Sequence, residues 1–151
     1  MIWYNIKTLE KKLRQGDLSD KETFNYIIAY VILLALASTS IDRYKTEWLT
    51  YIDVIVTTII ALIGLKKAFD INSAGDNKDY LKRLISLSFV SGIILVSYYA
   101  IVVIVFLVVD GIFNSKLFSL DITKLTISII AEIVYYLILI KSFTRVNSNN
   151  Q

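Results

Sequence analysis

The stretch LTISIIAEIVYYLILI, Leu125 to Ile140, holds one charged residue, Glu132, among fifteen neutral and mostly apolar ones. An ionised acid in the middle of a bilayer costs about 2.5–3.5 kcal/mol on insertion scales. Such a group therefore calls for a proton, a cation or a hydrogen-bonding partner. Hydroxyls recur near the middle of other apolar runs: Thr57 and Thr58 in one, and Ser97, Tyr98 and Tyr99 in another. Tyr135 and Tyr136 lie one helical turn after Glu132, and Ser128 lies one turn before it. Glu132, Tyr98, Tyr99, Thr57, Thr58, Tyr135 and Tyr136 are expected to form one polar layer across a membrane domain. Such a layer has two uses. It can hold or move a proton or cation, or it can act as interhelical glue, with a protonated Glu132 hydrogen-bonding across helices or to its copy in another subunit. Lone polar residues in membrane helices commonly serve packing, which favours the second use.

Other chemistry is scarce. The chain has no Cys and no His, so thiolate chemistry and the commonest acid–base side chain are absent. Intramembrane aspartyl chemistry needs two acids at matching depth, and Glu132 is the only central one in the sequence pattern. The segment from Asp70 begins like a calcium loop but has Ala74 at its fifth position and Leu81 at its twelfth, where a bidentate Glu belongs. No phosphate-loop spacing occurs. The expectation is a protein that is not an enzyme and has neither cofactor nor metal. Asp53 and Asp110 lie near span ends and read as solvated interfacial carboxylates, with Arg43, Lys45 or Lys124 as partners for Asp53.

The elements that must position these groups are apolar runs of about 24–41, 49–65, 84–109 and 125–140. Each is near the roughly 17–25 residues of a membrane-crossing helix. The 151 residues are 56% hydrophobic, with mean hydropathy +0.61, above the roughly 45–50% apolar content of soluble domains. The absence of Pro suits unbroken helices, and the runs do not alternate with a period of two. The expected fold is all-α: a four-helix transmembrane bundle in a single domain, 1–146, followed by a disordered tail, 147–151. Short outer loops predict that spans one and two pair as a hairpin, as do spans three and four. Ser88 with Gly92, and Thr57 with Ala61, are small pairs one turn apart and predict close helix packing.

Twelve Lys and Arg fall in the N-terminal segment, the middle loop and the C-terminal tail; four fall on the other side, Arg43, Lys45, Lys116 and Lys124. This asymmetry predicts that both termini are cytoplasmic. It also accounts for the basic pI by topology, so no nucleic-acid partner is expected. Trp48, Tyr44, Tyr51, Phe113 and Phe118 are expected at the outer interface, and Phe24, Tyr26, Phe69, Tyr80 and Phe143 at the inner one. The middle loop carries Lys66, Lys67, Lys78, Lys82 and Arg83, a cytoplasmic basic surface for lipid headgroups or an acidic protein partner. Ile2, Ile6, Leu9 and Leu13 mark an N-terminal amphipathic interfacial helix, ended by Gly16; the alternative folds this helix over the inner end of the bundle. Ser19 to Glu22 reads as a capping box before the first span. ALASTS, Ala35 to Ser40, imitates a signal-peptidase site, but the polar region before the run is 23 residues long and contains four acids, which favours a retained anchor.

The segment Asn72 to Val90 resembles one found in small uncharacterised bacterial inner-membrane proteins with four predicted spans. Asn72, Gly75, Lys78, Asp79, Tyr80, Leu81 and Arg83 match that pattern, although the family loop is often richer in Gly. The resemblance implies a bacterial inner-membrane protein and supplies no activity. The expected function is a self-associating membrane component, permeabilising the membrane or recruiting a cytoplasmic partner, in a bacterial immunity or phage-defence module. The alternatives are a small proton- or ion-coupled channel or carrier using Glu132, and a structural scaffold subunit. The expected partners are the lipid bilayer, further copies of the chain and a cytoplasmic protein.

Overall fold

The computed structural model describes residues 1–38, 44–115 and 120–148. These residues form five helices and no strand: α1 (Ile6–Gln15), α2 (Asp20–Ser38), α3 (Glu47–Ala74), α4 (Tyr80–Phe113) and α5 (Asp121–Asn147). The all-α expectation holds. Helices α3, α4 and α5 are each long and apolar enough to cross a membrane. The first expected span corresponds to α2; its last residues, 39–41, lie outside the described residues, as do Arg43, Lys116 and Phe118.

Local chemistry explains the helix ends. The Asn5 side chain accepts the Thr8 N–H at 3.1 Å and opens α1. Gly16, at φ 74°, closes it, with the Gly16 and Asp17 N–H groups bonded back to Leu13 and Lys12 carbonyls. The expected capping box opens α2: Ser19 Oγ accepts the Glu22 N–H, and Glu22 Oε2 accepts the Ser19 N–H, both at 3.2 Å. Asn77 and Asp79 take left-handed conformations in the tight turn between α3 and α4, which these side chains tolerate better than most.

Packing keeps one of the two expected hairpins, α4 with α5, and departs from the other. The four long helices lie in a row, α2–α4–α5–α3, with α3 against α5, α5 against α4, and α4 against α2. The first hairpin, α2 with α3, is not an extensive packing pair. The reason lies in surface shape rather than loop length. Bare backbone at Gly64 receives the Tyr136 ring: a Cβ there would sit 2.1 Å from a ring carbon. This approach draws α3 onto α5. Gly92 likewise faces Leu33, and Tyr26 packs edge-on against Phe89, which draws α2 onto α4. Contacts Asp53–Ser128, Gly64–Tyr136 and Asp76–Asn147 advance together in both chains, so α3 and α5 run parallel. Tyr80 packs on Phe143, at the start of α4 and the end of α5, so those two are antiparallel.

Helix α1 lies across α4 and α5 at the end where the α3–α4 turn and the α5 terminus meet. Leu9 and Leu13 are buried there. The apolar face of α1 is therefore covered by protein, and the lipid-inserted placement gives way to the folded-over one. The driving force is the same apolar stripe; α4 and α5 simply offer it a site. The tail expectation also shifts: α5 runs through Asn147, whose side chain bonds to the fold, while 149–151 lie outside the described residues.

Candidate functional site

The seam between α3 and α5 collects the polar groups that a membrane segment tolerates least. On α3, Asp53 is 5% exposed. Its carboxylate accepts a hydrogen bond from Ser128 Oγ at 2.9 Å, and Thr57 Oγ1 donates to the Asp53 carbonyl at 2.7 Å. On α5, Glu132 is half-buried one turn after Ser128, close enough for the Asp53 charge to act on it. Asp53 is thus not the solvated interfacial carboxylate of the sequence reading. Helix pairing, not its place near a span end, sets its surroundings. The pair has no Lys or Arg counter-ion on its own helices between Leu49 and Leu65 or between Leu125 and Ile140. Two carboxylates in a low dielectric repel unless a proton or cation sits between them, and carboxylate and hydroxyl oxygens are hard donors suited to either.

The expected single polar layer is only partly assembled. Glu132, Tyr136 and Thr57 belong to the α3–α5 seam, and Tyr135 turns toward α4 and α2, where its hydroxyl interacts with those of Ser88 and Tyr30. Thr58 is exposed. Tyr98 and Tyr99 are 60% and 44% exposed and line an apolar groove of about 500 Å³ between the C-terminal half of α4 and the N-terminal half of α5, beside Val102, Ile127 and Val134. The cause is depth. Helix α4 begins at Tyr80, and antiparallel pairing puts Ser88 beside Tyr135; Tyr98 then lies about two turns beyond the level of Glu132. Apolar runs alone do not reveal this offset in a 34-residue helix.

The expected basic surface of the middle loop is also reduced. Arg83 is 2% exposed. It donates to Asp76 through Nη1 and Nη2, both at 2.5 Å, to Asn72 Oδ1 at 2.8 Å and to Asn147 Oδ1 at 3.2 Å. These bonds hold the Asp76 carboxyl below the usual carboxylate range, against the opposing effect of burial. Lys82 pairs with Asp20 at 2.9 Å and donates to the Leu18 carbonyl at 3.2 Å, and Lys66 pairs with Asp70 at 3.0 Å. Lys67 and Lys78 are exposed. Arg83 is thus a clamp joining α3, its following turn, α4 and α5, and not a headgroup ligand. A guanidinium fits this role because its planar fork engages several acceptors at once.

A second clamp holds α1: Arg145 donates to buried Glu10 at 2.6 Å through Nη2 and 3.1 Å through Nε, and its carbonyl accepts from Arg14 at 2.6 Å. Lys12 bonds Glu22 at 2.5 Å, and this bond, with the Ser19 N–H, holds the Glu22 carboxyl low. Tyr26 and Phe143 are buried in the core, so neither is an interfacial anchor. Trp48, Tyr51, Phe113, Phe24 and Phe69 are exposed.

Among the expected packing residues, Ser88 and Gly92 are buried in the α4 core, while Ala61 is half-buried. The close approach on α3 comes one turn later, at Gly64. Its signal was present, since Gly64 and Ala68 form a small pair on the same face. Asn72, Asp76 and Asn147 carried no such signal, because their roles depend on three distant segments meeting. Comparison of the chain with family models, with curated proteins and with solved structures finds no match.

Proposed function

We propose that this chain is a multi-pass protein of the bacterial inner membrane, with α2 as a fourth span, that self-associates and makes the membrane permeable to protons or small cations. Both termini lie in the cytoplasm in this reading, supported by the twelve-to-four distribution of Lys and Arg. The meeting of α1, the α3–α4 turn and the α5 terminus at one end agrees with that topology. The carrying observation is the approach of Asp53 and Glu132 on one seam, through Ser128, in stretches of the two helices (Leu49 to Leu65 and Leu125 to Ile140) that hold no Lys or Arg. Intramembrane acids that face protein mark ion and proton pathways. The row of four helices leaves broad apolar faces for further copies of the chain, as an assembly requires. Permeabilisation is also the activity expected of a small effector in a bacterial immunity or phage-defence module, and that setting is proposed with it. Recruitment of a cytoplasmic protein by the basic loop has less support, because Lys66, Lys82 and Arg83 are already engaged.

The test is ion and proton flux in proteoliposomes for the wild type, Glu132→Gln and Asp53→Asn. Wild-type flux lost in both variants, with assembly intact, is the expected result. Absence of wild-type flux would leave the acids as packing elements of a membrane scaffold.

A further inference from the structure

Lys66, Lys82 and Arg83 are engaged within the fold, but one flank of α1 keeps its charge free. Lys7, Lys11 and Arg14 follow one another at intervals of four and three residues, so they share a flank of the helix beside the buried stripe of Leu9 and Leu13. All three are exposed. Lys7 and Lys11 have no ion-pair partner among the described residues, and Arg14 donates to a carbonyl, that of Arg145, at 2.6 Å. The nearby acids are already paired: Glu10 with Arg145 at 2.6 Å, Glu22 with Lys12 at 2.5 Å and Asp20 with Lys82 at 2.9 Å. Asp17 stands past the Gly16 turn.

The residues before α1 set where this flank lies along the bundle. The Tyr26 hydroxyl accepts the Ile2 N–H at 2.7 Å and donates to the Ile2 carbonyl at 2.9 Å. This fixes Trp3 against α4, its ring edge-on to Phe89 with 5.3 Å between centroids. Past the other end of α1, the Leu18 carbonyl accepts from Lys82 at 3.2 Å. Phe89 lies seven residues further along α4 than Lys82, about 10 Å. Helix α1 thus runs from the apolar stretch of α4 toward its charged first turn. Trp3 and Tyr4, both more than half exposed, stand at the apolar end, and Lys7, Lys11 and Arg14 follow toward the charged end. That order matches a membrane interface, where aromatic rings sit at the edge of the hydrocarbon and basic side chains reach the headgroups.

We propose that this flank of α1 binds the headgroups of anionic phospholipids, with Lys7, Lys11 and Arg14 on the phosphates and Trp3 and Tyr4 at the edge of the hydrocarbon. The apolar stripe of α1 stays on α4 and α5, and only the basic flank faces lipid. An acidic protein would meet the same charges but would not account for two exposed aromatic rings at the apolar end. In the proposed orientation the lipid belongs to the cytoplasmic leaflet, whose surface potential is negative. The proposal needs α4 and α5 in a bilayer and is independent of ion flux through the Asp53–Glu132 seam.

Trp3 and Trp48 are the two tryptophans of the chain, so Trp48→Phe leaves Trp3 as a single fluorescent reporter. The whole chain with this change is placed in vesicles of equal parts phosphatidylcholine and phosphatidylglycerol, with bromine on the acyl chains of one lipid or of the other. Surface charge is the same in both preparations, so only local enrichment separates them. Brominated phosphatidylglycerol should quench Trp3 about twofold or more above brominated phosphatidylcholine, and added salt should narrow the gap. Lys7→Gln with Lys11→Gln should abolish it. Lys67→Gln with Lys78→Gln, exposed positions around the α3–α4 turn, should leave it unchanged. If the Lys7 and Lys11 double variant does not assemble, Lys11→Gln alone should narrow the gap. Equal quenching by the two lipids before any lysine is changed would overturn the proposal, as would a gap that survives in the assembled double variant. Quenching by neither lipid would place Trp3 in water and overturn the lipid assignment in favour of an acidic protein partner.

Discussion

At position 64 a single hydrogen atom decides how near α3 and α5 come. Glycine is ordinarily unfavourable inside a helix by roughly 0.5–1 kcal/mol relative to Ala, so Gly64→Ala in an unconstrained helix would stabilise. Here the added methyl meets the Tyr136 ring, and overpacking of this kind costs about 1–3 kcal/mol. Gly64→Ala should therefore lower stability in detergent unfolding, and Tyr136→Ala should relieve the penalty in the double variant. A stabilising Gly64→Ala would refute the seam. The Asp76–Arg83 clamp gives a pH prediction. The Asp76 carboxyl is held low in the folded chain, so its contribution is complete above the ordinary Asp value near about pH 4. It is lost as pH falls through the lower folded value. Asp76→Asn should flatten that acid-side loss in thermal unfolding measured across pH. At pH 7 it should cost about 3–5 kcal/mol, as expected when a buried guanidinium loses its partner.

Among the elements, α1 separates local from tertiary information most clearly. Its stripe of Ile6, Leu9 and Leu13 guarantees an amphipathic helix, but it does not choose between lipid and protein as the surface that covers it. The choice is made by a fit on α4 and α5 and by Glu10 meeting Arg145. Leu9 is fully buried, so Leu9→Ala should cost about 2–5 kcal/mol and expose the 16–19 connection to protease. A stability equal to wild type would place α1 in the lipid instead. The capping box at Ser19 is purely local, and Ser19→Ala should lower stability by about 0.5–2 kcal/mol without moving α1.

For the whole molecule, the topology is open to direct measurement because the chain has no Cys. A single cysteine at Lys78→Cys should react with an impermeant thiol reagent only from the cytoplasmic face. Lys45→Cys should react only from the opposite face. Both positions are exposed. Labelling of both from one side would remove the odd number of crossings between them that α3 supplies, and with it the proposed orientation.

The sequence by itself determined five helices, the Gly16 stop of α1 and the Ser19 capping box of α2, the apolar runs and the charge asymmetry. Each depends on neighbours within a few residues, or on composition summed over a run. Glu132 was legible for the same reason, as a charge that contrasts with its own segment. What only the tertiary structure decided was pairing and depth: α3 against α5 rather than α2, Asp53 beside Glu132, Tyr98 out of the layer, and Arg83 buried rather than offered to lipid. These outcomes turn on which surfaces interlock, at Gly64 and Tyr136 above all. Hydropathy cannot rank such pairings, because in lipid every apolar face is equally content and close fit and polar satisfaction choose the neighbours.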